Sequence, residues 1–284
     1  MQKYIQLKNG SQMPRLGMGA WCLGDNTAKR SEEIEALQAG IDSGLTLIDT
    51  AEMYGSGRSE DLIGEAIKDY DRKDLFLVSK VYPYNAEKGK IENSVKSSLK
   101  RLGTDYLDMY LLHWRGSIPL SHTVRCMEEL VKQGIIRNWG VSNFDTDDMK
   151  ELMEVPDGQN CAVNQVLYHL GSRGIEYDLL PWHREKDIPI MAYCPIAQAG
   201  ALRTSLVKAP ILNQIADKYN ISIVQLLLLF VMRNDNMTAI PRSSKKEHVL
   251  ENSRVLDLEL TDEDMRLINS EFPPPAKKMY LDIV

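Results

Sequence analysis

The feature that most constrains this chain is a repeat of short apolar runs, each followed by a segment with apolar residues at three- and four-residue spacing. The runs are LGMG (16–19), LTLID (45–49), LFLVSK (75–80), YLDMYLLH (106–113), IIRNWGVS (135–142), AVNQ (162–165), PIMAY (189–193) and MTAIP (237–241). Runs this short and this apolar suit strands buried on both faces of a parallel sheet. Between them lie amphipathic segments such as SEEIEALQAGIDSG, RSEDLIGEAIKDY and HTVRCMEELVKQG, and a long 209–233 region. Eight strand–helix alternations suit a (β/α)8 barrel or a large doubly wound sheet, and periodicity alone does not choose. No linker, low-complexity tract or charge block divides the 284 residues, so one α/β domain over 1–284 is expected. Eight runs in one such chain fit a closed TIM barrel best. Ahead of the first run, Ile5 and Leu7 alternate with polar residues before Asn9-Gly10, which predicts a short N-terminal β-hairpin with a two-residue turn. IVQLLLLFVM (223–232) falls short of the ~20 residues a bilayer span needs and reads as a buried helix. TDEDMRLI, with acids in its first turn, reads as the last helix.

Charge and cysteine usage narrow the function classes. A net charge of −6 argues against nucleic acid or an anionic membrane as partner, since either calls for a dense basic face. It leaves room for a small anionic ligand held by a few local cations. The four scattered cysteines form no C-x-x-C and point to a reduced, cytoplasmic setting. The five histidines form no H-x-x-x-H and none pairs closely with a cysteine, so no metal is expected. Gly17-Met18-Gly19 and Gly55-Ser56-Gly57 are each followed by Cys or Glu where a dinucleotide fingerprint needs its third glycine. A nucleotide would have to be held some other way.

In a parallel barrel, chemistry gathers where strands end. The second run ends in Asp49 with Tyr54 in the loop beyond, the third in Lys80 and the fourth in His113. The fifth ends in Ser142-Asn143, the sixth in Asn164-Gln165 and the seventh in Tyr193. Each has an ordinary reading: a capping aspartate, a solvated lysine, a core histidine. Together, ionisable groups at the ends of adjacent apolar strands must pair or face a cavity. A lysine beside the tyrosine would lower its pKa, an aspartate would hold the lysine charged, and a histidine would polarise a carbonyl oxygen. That set suits carbonyl reduction by hydride.

With DTAEMYG (49–55), VSKV, LLHW, GVSNF, NQVLYH, AYCPIAQ and IPRSSKKEHVLEN in this order, the whole chain resembles the aldo-keto reductase superfamily. The pattern is similar to bacterial members that reduce small aldehydes and methylglyoxal. The resemblance implies a catalytic tetrad of Asp49, Tyr54, Lys80 and His113, with Tyr54 as proton donor and His113 orienting the carbonyl. It implies NADPH rather than NADH, bound across the barrel mouth. Gly19, Ala20, Trp21 and Asp49 would border the cofactor, Ser142, Asn143 and Gln165 would meet the carboxamide, and Tyr193 would stack on the nicotinamide. Cys194 to Gln198, Ile196 included, would line the pyrophosphate. Arg242 and Ser243 would meet the 2′-phosphate, and Glu251 and Asn252 the adenine. His248 stands where many members carry an arginine, which leaves Arg242 as the main phosphate cation. Trp21 and Trp114 would wall the substrate pocket, while Trp139 and Trp182 read as packing residues. The short loop after His113 and the short tail predict an open mouth. A monomer is the family expectation. The rival readings are a non-catalytic nucleotide sensor and a barrel aldolase using Lys80 as a Schiff base.

Overall fold

The computed structural model describes residues 2–284. An antiparallel hairpin, β1 (Tyr4–Gln6) and β2 (Gln12–Pro14), precedes eight parallel strands. These are β3 (Gly17–Gly19), β4 (Leu47–Asp49), β5 (Phe76–Val81), β6 (Leu107–Leu112), β7 (Ile136–Ser142), β8 (Asn164–Leu167), β9 (Ile190–Tyr193) and β10 (Met237–Ile240). Each strand pairs with the next in parallel. The sheet closes through bridges Leu16–Ala239 and Gly19–Arg242, where Ala239 N donates to Arg15 O at 2.9 Å and Gly19 N to Pro241 O at 3.0 Å. The sheet is therefore the expected barrel rather than an open doubly wound one.

Helices α1 (Arg30–Asp42), α2 (Arg58–Ile67), α3 (Ile91–Leu102), α4 (Leu120–Lys132), α5 (Thr146–Glu154) and α6 (Leu179–Lys186) return the chain between strands. The 209–233 region divides into α8 (Pro210–Tyr219) and α9 (Ile223–Met232), preceded by a short α7 (Ala201–Lys208). Helix α9 is buried through Gln225–Met232, as its composition implies, and starts in a capping box between Ser222 and Gln225. Helices α10 (Lys246–Ser253) and α11 (Asp262–Glu271) complete the ring. Helix α11 begins in a Thr261–Asp264 capping box with Asp262, Glu263 and Asp264 in its first turn. No single helix among the described residues is long and apolar enough to cross a membrane.

The hairpin plugs the barrel floor. Ile5, Leu7 and Met13 join the inward residues Leu47, Phe76, Val78, Met109, Leu111 and Met191 in one apolar cluster. Its turn differs from the two-residue one expected at Asn9-Gly10. Gly10 N donates to Leu7 O at 2.9 Å and Leu7 N to Ser11 O at 2.8 Å, and only Gly10 takes a positive φ (86°). This is a three-residue loop with glycine at the left-handed position, where a two-residue type I′ turn would need positive φ at both central residues. Below the floor Arg15, 1% exposed, donates through Nη2 to Met232 O and Asn234 O at 2.5 and 2.7 Å. It thereby satisfies carbonyls at the end of α9 that the helix leaves without partners.

Strand alternation then places the chemistry. Leu47, Phe76, Val78, Met109, Leu111, Val163 and Met191 face the interior. Side chains two further along the same strands point the same way, and these are Asp49, Lys80, His113, Gln165 and Tyr193. The apolar interior thus carries a polar layer at the carboxyl ends of the strands. Strand β8 runs two residues past the expected Asn164–Gln165 end, to Leu167, and so places Gln165 inside the barrel.

Candidate active site

A cavity of about 470 Å³ opens over this layer, bordered by Asp49, Tyr54, His113, Ser142, Asn143, Gln165 and Tyr193. Lys80 lies beneath it, fully buried, with Nζ 2.8 Å from Asp49 Oδ2, 2.8 Å from Thr50 O and 3.2 Å from Tyr54 Oη. Burial pulls the Lys80 pKa down, but the charge of Asp49 and the hydrogen bonds to Asp49 and Tyr54 outweigh it, and the pKa ends above its ordinary value. An ammonium held this way has no free lone pair, which favours a charge-stabilising part for Lys80 over Schiff-base formation.

Tyr54 departs from the expectation in one respect. Burial raises its pKa, and the lowering by Lys80 does not cancel that effect. Desolvating a phenolate costs more here than one neighbouring cation returns, so the hydroxyl stays protonated. The imidazole of His113 meets the Tyr54 ring edge-on at 5.8 Å and the Trp114 ring at 5.0 Å. Burial, with the Lys80 charge adding to it, holds its pKa down to about 3. His113 is therefore neutral, its Nδ1 buried without a partner while the ring borders the cavity.

A chain of hydrogen bonds links the remaining groups. Gln165 Nε2 donates to Asp49 Oδ1 at 2.7 Å, and Ser142 Oγ to Gln165 O at 2.9 Å. Asn143, in the left-handed region at φ 59°, donates through Nδ2 to His113 O at 3.2 Å, and its Oδ1 accepts from Tyr193 Oη at 2.8 Å. The ring plane of Tyr193 is thereby fixed at the cavity wall.

Of the residues expected at a cofactor, Gly19, Trp21, Cys194, Ile196 and Arg242 also border the cavity. Ala20, Ser243, His248, Glu251 and Asn252 do not, and neither does Trp114, expected at the substrate pocket. Ala20 is buried, and Ser243 Oγ accepts from Lys245 N within a local turn. His248 lies exposed on α10, with Glu251 and Asn252 further along the same helix. Trp139 is buried, with Nε1 donating to Glu128 at 2.7 Å, and Trp182 packs half-buried against the helix-facing core.

Sequence reasoning missed Met53, Arg203 and Val284, all at the cavity. The short tail expected to stand clear of the mouth brings Val284 to its edge. Lys278 Nζ bridges Asp145 and Asp178 at 2.6 and 2.7 Å, and Ser172 Oγ bonds Asp282, so the tail is held along these loops and its last residue reaches the cavity rim. Nothing in PPPAKKMYLDIV signals that path, since its partners lie on distant loops.

Three buried histidines give the fold a pH dependence. Burial first of all holds the pKa of His113 to about 3 and of His169 and His183 to about 4, against 6.5 in an open chain. Below 6.5 the unfolded chain therefore takes up protons that the folded chain refuses. Their contribution is fully present above the unfolded pKa and is lost as pH falls towards about 4. Each histidine contributes a slope of up to about 1.4 kcal/mol per pH unit in that window. Denaturant titrations at falling pH should show this loss, and constant stability across the window would contradict the neutral assignments.

Strand order and site together define a (β/α)8 barrel whose cluster of buried ionisable groups opens onto a cavity. The Aldo/keto reductase family model matches residues 15–271. Methylglyoxal reductase YeaE of Escherichia coli K12 is 50% identical over 283 residues, covering 100% of this chain and 99% of that protein. Two crystal structures of an aldo/keto reductase from Klebsiella pneumoniae, one with NADP and acetate and one with NADPH, are 49% identical. They superpose with TM-scores of 0.97 and 0.96, covering 100% of both chains in each case. The chain belongs to the aldo/keto reductase family.

Proposed function

We infer that the protein reduces small aldehydes and 2-oxoaldehydes, methylglyoxal among them, to alcohols with NADPH as reductant, residues 1–284 acting as one catalytic domain. The observation that carries this reading is the protonated Tyr54 hydroxyl, 3.2 Å from the Lys80 ammonium beside a neutral imidazole at one cavity floor. When bound, the nicotinamide supplies the hydride to the carbonyl carbon. Tyr54 gives its proton to the carbonyl oxygen as negative charge develops there, and the adjacent Lys80 ammonium stabilises the phenolate left behind. Asp49 keeps Lys80 charged and aimed. Neutral His113 donates a hydrogen bond to the same oxygen and so orients the carbonyl.

The cavity suits the cofactor. Among the described residues Gln165 Oε1 makes no hydrogen bond and, with Ser142 and Asn143, offers both polarities that a carboxamide needs. Tyr193 presents a fixed aromatic face. Arg203 and Arg242 bring two guanidinium groups to a cavity whose bordering acidic side chain, Asp49, is already paired with Lys80. That balance favours a polyanionic ligand. Arg242 spans from β10 to the loop after β3, its Nε donating to Trp21 O at 3.2 Å, and is the cation assigned to the 2′-phosphate. Trp21, Met53 and Val284 leave apolar walls around a small carbonyl compound.

Initial rates with methylglyoxal and each reduced nicotinamide test this reading. NADPH should exceed NADH at least tenfold in kcat/KM, and Arg242→Ala should lose about tenfold with NADPH while leaving NADH little changed. Equal loss with both would remove Arg242 from phosphate recognition.

A further inference from the structure

We propose that Glu52 and Glu60 are positioning residues: two carboxylates flanking Tyr54 that fasten its loop to β5 on either side of Lys80 and so set the Tyr54–Lys80 contact. The proposal rests on the reading of Tyr54 as proton donor.

The loop needs outside support. After Tyr54 come Gly55, Ser56 and Gly57 with φ of 58°, 56° and 94°. Successive residues in the left-handed region propagate neither a regular helix nor a strand, and the loop's own turn bonds, Tyr54 N to Ala51 O and Ser56 N to Met53 O at 3.0 Å each, do not fasten it to β5. Two side chains take over that task. Ahead of Tyr54, Glu52 Oε1 accepts from Tyr82 N at 2.7 Å and from Asn85 Nδ2 at 3.2 Å, while Glu52 N donates to Lys80 O at 3.3 Å. Beyond Tyr54, Glu60 in the first turn of α2 is fully buried. Its Oε1 accepts from Ser79 Oγ at 2.6 Å and its Oε2 from Arg101 Nε at 2.7 Å. Ser79 immediately precedes Lys80, and Tyr82 follows it shortly after.

The two attachments therefore straddle Lys80 on one strand and Tyr54 on one loop. Arg101 adds to the second, because a Cβ built on Gly57 would come 2.7 Å from its Cδ and Nε. Its side chain occupies the space beside the loop where a side chain at 57 would lie. A buried glutamate needs a charge partner in any fold, and Arg101 alone would meet that need. That need explains neither the bond from Ser79 to Glu60 nor the bonds from Tyr82 and Asn85 to Glu52. Both sets end on the lysine-bearing strand or the segment leaving it. Misplacing a catalytic group by about 1 Å is enough to cost on the order of a hundredfold in rate, so attachments at this spot act on the proton transfer.

The test uses Glu52→Ala, Glu52→Gln and Ser79→Ala beside Tyr54→Phe, with carbonyl reduction, cofactor binding and the solvent deuterium isotope effect on kcat as readouts. Glu52→Ala should lower kcat about ten- to hundredfold, leave the NADPH dissociation constant within about twofold, and raise the isotope effect as proton delivery slows. Glu52→Gln, whose amide oxygen accepts the same two hydrogen bonds, should recover most of the rate. Ser79→Ala keeps the Glu60–Arg101 pair and should change kcat and isotope effect in the same direction by a smaller factor. A purely structural role would lower the folded fraction and leave the isotope effect alone. Glu52→Ala and Ser79→Ala with normal kcat and isotope effect, beside an inactive Tyr54→Phe, would overturn the proposal and leave the proton-donor reading standing. An active Tyr54→Phe would overturn both.

Discussion

Tyr54→Phe should lower kcat for aldehyde reduction by about three orders of magnitude while the dissociation constant for NADPH stays within a factor of a few. The size follows from what a positioned general acid contributes, roughly 10²–10⁴ in rate. The substitution removes one oxygen atom and keeps the ring that meets His113 at 5.8 Å, so packing at the floor is retained. Among the described residues the hydroxyl bonds to Lys80 Nζ, which keeps Asp49 and Thr50 O as acceptors after the change. Little stability should therefore be lost, and thermal unfolding measured beside the kinetics would verify it. Because the Tyr54 pKa stands above that of a free tyrosine, reduction should decline only at strongly alkaline pH. A wild-type decline near neutrality would point to another group as the acid.

Lys80→Met should be costly to both activity and stability. Lys80 and Asp49 form a buried pair at 2.8 Å with side chains 0% and 4% exposed. Removing the cation strands a carboxylate whose remaining protein donor is Gln165 Nε2. Breaking such a pair from one side costs about 3–5 kcal/mol, far more than a surface bridge contributes. Activity should fall by a further factor, on the order of 10²–10³, because the phenolate loses its stabilising charge. The two effects are separable. Adding Asp49→Asn to Lys80→Met removes the stranded charge and should restore most of the stability measured by denaturant, with carbonyl reduction still lost. Recovery of the rate along with the stability would show that Lys80 acts only by holding the fold.

How far the site was legible in the sequence depends on the range of the interaction that builds it. Asp49, Lys80 and His113 could be read because strand alternation is local. In LTLID, LFLVSK and YLDMYLLH the ionisable residue falls in phase with the inward apolar ones. Barrel closure, by contrast, depends on Arg15–Leu16 meeting Ala239 across most of the chain, and periodicity carried no sign of it. Glu60 reads in RSEDLIGEAIKDY as an ordinary first-turn acid, and only the approach of Ser79 and Arg101 gives it another part. Arg203 on the short α7 and Val284 on the tail escaped for the same reason. The direction of the Tyr54 pKa was misjudged because sequence names its charged neighbour but not the depth of its burial, and burial outweighs the charge. The hairpin was foreseen and its turn was not, since Asn-Gly signals a turn while the pairing of Leu7 with Ser11 sets its length.

The most direct test of the central claim is a single-turnover reaction, in which enzyme preloaded with NADPH is mixed with methylglyoxal and the loss of reduced-cofactor absorbance is followed for wild type and Tyr54→Phe. The account predicts rapid oxidation of the bound cofactor with formation of the reduced product by wild type, and a rate about a thousandfold slower for the variant. Bound NADPH that stays reduced in the wild-type protein, or equal rates in the two proteins, would contradict it.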